Sequence, residues 1–130
     1  MYGFMVHLKC INRKEDIKMV KTININGTNY DMKASAYTQF AYKNLTGRSF
    51  LADIQKLTNL KVDDLLQVDG LIEILLDISF VMIQENDPKK FTNEEEFIKS
   101  ISNLFDEPQW IEDVITLAVT PLSGNLQKDK

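Results

Sequence analysis

The chain has 130 residues, 44% of them apolar and 26% charged, and a net charge of −4. That balance predicts one globular domain with a real core, and no uninterrupted apolar run approaches the roughly 18–20 residues of a membrane-spanning helix. Residues 1–48 carry 8 Lys/Arg against 3 Asp/Glu and residues 49–130 carry 7 against 16, an acidic bias over most of the chain that argues against a nucleic-acid partner.

The opening Met-Tyr-Gly-Phe-Met-Val-His-Leu lacks the basic start and long apolar stretch of a secretory signal, so a cytoplasmic protein is expected. Met19 stands immediately before the first segment that reads as structure. Lys14-Glu15-Asp16 can be encoded by a purine-rich ribosome-binding sequence at the right spacing before it. Residues 1–18 are therefore expected to be leader with translation starting at Met19, the alternative being an N-terminal arm begun at Met1. The single cysteine, Cys10, and single histidine, His7, both fall in that stretch. Without it the chain holds no thiol or imidazole for a disulfide, a Cys/His metal site, a nucleophile or a base. With it, a lone Cys and a lone His still form no recognised site.

From Val20 the pattern alternates. Thr22-Ile23-Asn24-Ile25 leads into Asn26-Gly27, and Tyr30 and Met32 continue the alternation on the return. Asn-Gly between such runs predicts a hairpin over residues 21–33, because a type I′ turn requires positive φ at both central residues. The rest reads as helix. Tyr37, Phe40, Ala41 and Leu45 share one face of the next segment, which predicts that face as the buried one, with Gly47 as its C-terminal stop. The aromatics Tyr37, Phe40, Tyr42 and Phe50 follow helix-packing spacing rather than that of a base-stacking platform. Ser49 can cap a second helix whose Phe50, Leu51, Ile54 and Leu57 form a stripe, and Asp63 can start a short turn before Asp69-Gly70.

Residues 71–84 are apolar nearly all round, broken by Glu73, Asp77, Ser79 and Gln84. Such a helix is the buried centre of its domain or half of an interface. Asp-Pro-Lys-Lys then ends it. Thr92 with Glu95 predicts a capping box before Phe97, Ile98, Ile101, Leu104 and Phe105 at helical spacing. Pro108 suits the first turn of a last helix with Trp110, Ile111, Val114 and Ile115 inward, and Pro121 with the following polar residues predicts a frayed tail. The expected fold is mainly α with a small N-terminal β-hairpin (α+β), a single compact domain of about five helices over residues 19–122, with residues 123–130 as a flexible tail.

Asp69, Glu73 and Asp77 recur every four residues. A metal or acid/base site needs carboxylates converging from different elements, so this spacing predicts a solvated stripe. Asn26-Gly27-Thr28 and Asn44-Leu45-Thr46 match the glycosylation pattern, which without a secretory signal implies no modification. No catalytic, metal-ligating or cofactor-binding residues stand out, and binding is left as the activity.

The segment Lys21-Thr-Ile-Asn-Ile-Asn-Gly-Thr-Asn-Tyr-Asp-Met-Lys-Ala-Ser35, followed by an aromatic-rich helix ending in Thr46-Gly47, resembles the tail assembly chaperones of long-tailed bacteriophages. So does residues 75–101, an apolar helix, a proline-containing break and Phe91-Thr-Asn-Glu-Glu-Glu-Phe97; together the likeness spans residues 19–118. The resemblance implies a small non-enzymatic protein of the host cytoplasm, absent from the finished virion. It would bind the tape-measure protein, and tail tube protein through a longer product, and keep the former soluble while the tube polymerises. Such chaperones are often made in two lengths by frameshifting, and Gln127-Lys128 can be encoded by a slippery run. The apolar helix supplies the expected partner contacts, Leu71, Ile74, Leu75, Ile78 and Met82, with Trp110 and Ile111 beside them; the alternative is that this helix is core. Homo-oligomerisation stays open. The rival function is a small acidic regulatory protein of a phage or mobile element that binds and inhibits a host protein.

Overall fold

The computed structural model describes residues 20–60, 64, 70–104 and 106–128. The expectations for the leader with Cys10 and His7, for a turn at Asp63, for Asp69 and for Phe105 lie outside the described residues.

Strands β1 (Val20–Ile25) and β2 (Thr28–Lys33) pair antiparallel, Ile23 opposite Tyr30 and Ile25 opposite Thr28. Asn26 and Gly27 both take positive φ, 49° and 105°, which is the geometry that the Asn-Gly pair predicts. The alternation sorts the two faces. Ile23, Ile25, Tyr30 and Met32 are buried, while Asn24 Nδ2 donates to Asn29 Oδ1 at 2.8 Å on the outer face. The hairpin tip is also strapped down. Asn26 donates through Nδ2 to the Asn103 carbonyl, and its Oδ1 accepts from the Glu107 amide at 2.6 Å.

Five helices follow among the described residues: α1 (Tyr37–Thr46), α2 (Phe50–Thr58), α3 (Leu71–Asn86), α4 (Glu94–Lys99) and α5 (Gln109–Lys128). The α+β expectation therefore holds. Gly47, at φ 77°, closes α1 and donates its amide to the Lys43 carbonyl at 2.8 Å. Ser49 caps α2 by accepting from the Ala52 amide at 3.2 Å. Helix α3 is the centre: β2, α1, α2, α4 and α5 all pack on it, and its Leu75, Ile78 and Met82 have no exposed surface. Trp110 opens α5 from inside the core, its indole N–H donating to the Leu104 carbonyl at 2.9 Å.

Three expectations are corrected. The cap of α4 lies one residue later than Thr92 and Glu95: Asn93 accepts from the Glu96 amide at 2.9 Å, and Glu96 Oε1 accepts from the Thr92 amide at 2.9 Å. The helix then stops at Lys99, leaving Ile101 and Leu104 on non-helical chain. Nor does α5 end at Pro121; it continues to Lys128. Inside a helix proline forfeits one amide donor and its ring crowds the carbonyl four residues back, and partly buried Leu122, packed on the core, helps hold the turn that contains it. No helix among the described residues is long and apolar enough to cross a membrane.

Candidate partner-binding surface

Helix α1 faces the opposite way from the expectation. Tyr37 and Phe40 are 58% and 61% exposed and Leu45 43%. The buried residues of this helix are Thr38 and Tyr42.

Hydroxyl chemistry fixes the rotation. Thr38 Oγ1 donates to Glu85 Oε1 on α3 at 2.7 Å and accepts from the Ser35 amide at 2.8 Å. The Ser35 hydroxyl donates to the same carboxylate. One turn on, the Tyr42 hydroxyl donates to Asp53 Oδ2 at 2.5 Å. A buried carboxylate without donors costs far more than an exposed aromatic ring loses. With Asp53 buried and Glu85 half-buried against α1, the helix turns its hydroxyls inward and its apolar stripe outward.

Asp53 belongs to a larger polar knot. Arg48 donates through Nε to Asp53 Oδ2 at 2.9 Å, and through Nη2 to Asp77 Oδ2 at 2.8 Å and the Tyr42 hydroxyl at 2.9 Å. Lys56 Nζ lies 3.5 Å from Asp53 Oδ1. Burial alone would push the Asp53 carboxyl up, but the Tyr42 hydroxyl and the Arg48 guanidinium outweigh it and hold the group below its ordinary range. Burial, then the bond to Asp53, raises the Tyr42 phenol. Glu94, the first residue of α4, has Oε2 buried without a hydrogen-bond partner among the described residues. That burial, with the Asp77 carboxylate beside it, pushes Glu94 up to about 8. Asp77 is thus no member of a solvated stripe; its side chain is 17% exposed and ion-paired. Glu73 is exposed, as that stripe predicts. Among the described residues no group of three or more His, Cys, Asp or Glu is placed to hold a metal ion.

A ridge with two flanking grooves results. Between α1 and the C-terminal half of α3, Tyr37, Ala41, Val81, Gln84, Glu85 and Pro88 line a depression of about 380 Å³. On the other flank Gln39, Phe40, Lys43, Ser49, Phe50 and Leu51 line one of about 200 Å³. Leu51, 48% exposed, extends the apolar surface onto α2. With aromatic side chains covering roughly 200 Å² each, the patch exposes on the order of 400 Å², the size at which a monomer's largest patch is often functional.

The seven expected partner contacts lie elsewhere. Leu71 and Ile74 are 6% and 7% exposed, and Leu75, Ile78, Met82, Trp110 and Ile111 have none of their surface exposed. The structure brings all seven together in the core. They offer no flank because β2 and four helices surround α3. The residues that do form a surface were visible as a stripe in the sequence, and the signal against burying that stripe was Thr38, Tyr42 and Thr46 on the other side at four-residue spacing.

These features define a small α+β protein with an apolar ridge on an acidic body. No family model, curated protein or solved structure matches the chain.

Proposed function

We propose that this chain is a tail assembly chaperone of a long-tailed bacteriophage or prophage, acting in the cytoplasm of the bacterial host and absent from the mature virion. It binds the tape-measure protein, a long amphipathic helical chain, and covers its apolar face until tube subunits enclose it. No cofactor takes part.

The observation that supports this reading is the outward ridge of Tyr37, Phe40 and Leu45 with a groove on each side. A client helix docks its apolar stripe against such a surface. The net charge of −4 keeps the loaded chaperone soluble. The small patch suits the release step: at ~25 cal/mol/Å² it contributes several kcal/mol before ordering costs, so each contact is weak and several copies along one client supply the avidity. The sequence likeness over residues 19–118 points the same way.

Co-expression with the neighbouring tape-measure candidate tests it. The candidate should move into the soluble fraction with this chain, and return to the pellet when Tyr37→Ser and Phe40→Ser are combined. Equal solubility of the candidate with and without the chain overturns the assignment.

A further inference from the structure

The ridge has a charge character opposite to that of the molecule. No Asp or Glu occurs from Met32 to Ala52, a stretch that carries Lys33, Lys43 and Arg48, whereas the whole chain is at −4. Arg48 is spent inward on Asp53 and Asp77. Glu85, the one carboxylate lining the grooves, keeps its charge while accepting from the Ser35 and Thr38 hydroxyls, and it lies in the Tyr37–Ala41 groove rather than in the one beside Lys43. Lys33 and Lys43 then remain without an ion pair among the described residues; Lys33 ends β2 and lines neither groove, whereas Lys43 is exposed on the wall of the Phe40–Leu51 groove. An ammonium beside an apolar groove, on a molecule with acid to spare elsewhere, selects for carboxylate on whatever fills the groove.

Resting on the reading of this ridge as the partner-binding surface, we propose that its occupant is an amphipathic helix of another protein whose apolar stripe is flanked by Asp or Glu, one carboxylate meeting Lys43 while apolar side chains enter the grooves beside Tyr37 and Phe40. A helix fits because a raised row of side chains with a groove on either side is what another helix interlocks with. A second copy of this chain is a poor occupant, since its own ridge, acid-free from Met32 to Ala52, brings no carboxylate to Lys43. A lipid surface is flat where this one is grooved, and anionic lipid favours a cluster of cations over a single lysine.

Two synthetic amphipathic peptides of about 18 residues, roughly five turns, test the proposal. Both carry the same Leu stripe, one flanked by Glu and the other by Lys, and binding to the full chain is read by fluorescence anisotropy at low and high salt. The Glu-flanked peptide should bind at least about threefold tighter, the advantage shrinking with salt. Lys43→Glu should reverse the order, and Phe40→Glu or Leu51→Glu should abolish binding of both. All three residues are exposed, and circular dichroism verifies that each variant keeps its fold.

Equal binding of the two peptides, or none, overturns the proposal. So does preferential binding to phosphatidylglycerol vesicles, or self-association in sedimentation that Phe40→Glu removes. The test separates this inference from the chaperone reading. Peptide discrimination with an indifferent tape-measure candidate keeps the acidic-helix site and removes the chaperone, and a rescued candidate with indifferent peptides does the reverse.

Discussion

At the scale of single residues, Arg48 and Asp53 hold the ridge in place from below. Asp53 is a charge in the interior, 3% exposed at its side chain, so its donors decide its cost. Arg48→Ala removes one of Asp53's three partners, together with the bonds to Asp77 and the Tyr42 hydroxyl, and should lower the unfolding free energy by roughly 1–3 kcal/mol, less than a wholly buried pair would lose because the guanidinium is partly in solvent. Urea titration measures this. Acidity should act in two opposite directions. Glu94 binds its proton more tightly folded, near 8 against an ordinary 4.5, so its contribution is complete below about 4.5 and is lost as pH rises through about 8. Asp53 is shifted downward in the folded chain, so its contribution is present above the ordinary carboxylate range and is lost as pH falls below it. Urea midpoints should therefore decline from mildly acidic pH toward pH 9, and Glu94→Gln should flatten that decline while leaving the acid limb intact. An unchanged alkaline slope in Glu94→Gln would place its origin elsewhere.

At the scale of elements, the turn and cap residues were the most legible. Asn26-Gly27 specified the hairpin because only a few residues tolerate its φ values, and Gly47 specified the end of α1 for the same reason. At φ 77°, Gly47→Ala meets open space around its new Cβ but a disfavoured backbone, and should cost about 1 kcal/mol in thermal melts. Trp110→Ala, which empties the largest fully buried side chain, should cost about 3–5 kcal/mol. Less legible were properties that depend on distant residues. The stripe on α1 was correctly grouped, but which side faced inward was decided by Glu85 and Asp53, 47 and 11 residues from their hydroxyl partners Thr38 and Tyr42. Periodicity sees the stripe and not the carboxylates that its hydroxyls turn toward. In the same way, the nearly all-apolar α3 was compatible with core or interface until β2 and its helical neighbours were placed around it. Asn93 and Glu96 outcompeted Thr92 and Glu95 by one residue, a difference that two adjacent capping-competent pairs leave open. Pro121 read as a stop, and packing of Leu122 overrode it.

At the scale of the whole molecule, one core cluster runs through both strands and all five helices. Unfolding should be a single cooperative transition, with Trp110 fluorescence and far-ultraviolet circular dichroism giving coincident curves; a separate early loss of helix would show that part of the chain stands alone. One strap in that cluster's periphery has a bearing on how the protein ages. An asparagine followed by glycine is the pair most prone to shed ammonia, by attack of the glycine nitrogen on the asparagine side chain. Here the Gly27 amide is occupied by Asn24 Oδ1 at 2.9 Å, and the Asn26 side chain is pinned to Asn103 and Glu107. The native fold thus shelters the sequence's one Asn-Gly pair. Once an opened molecule deamidates there, water opens the cyclic imide to isoaspartate or aspartate, either of which presents oxygen where the Asn103 carbonyl requires a donor, and the damaged chain closes less well than the one that opened.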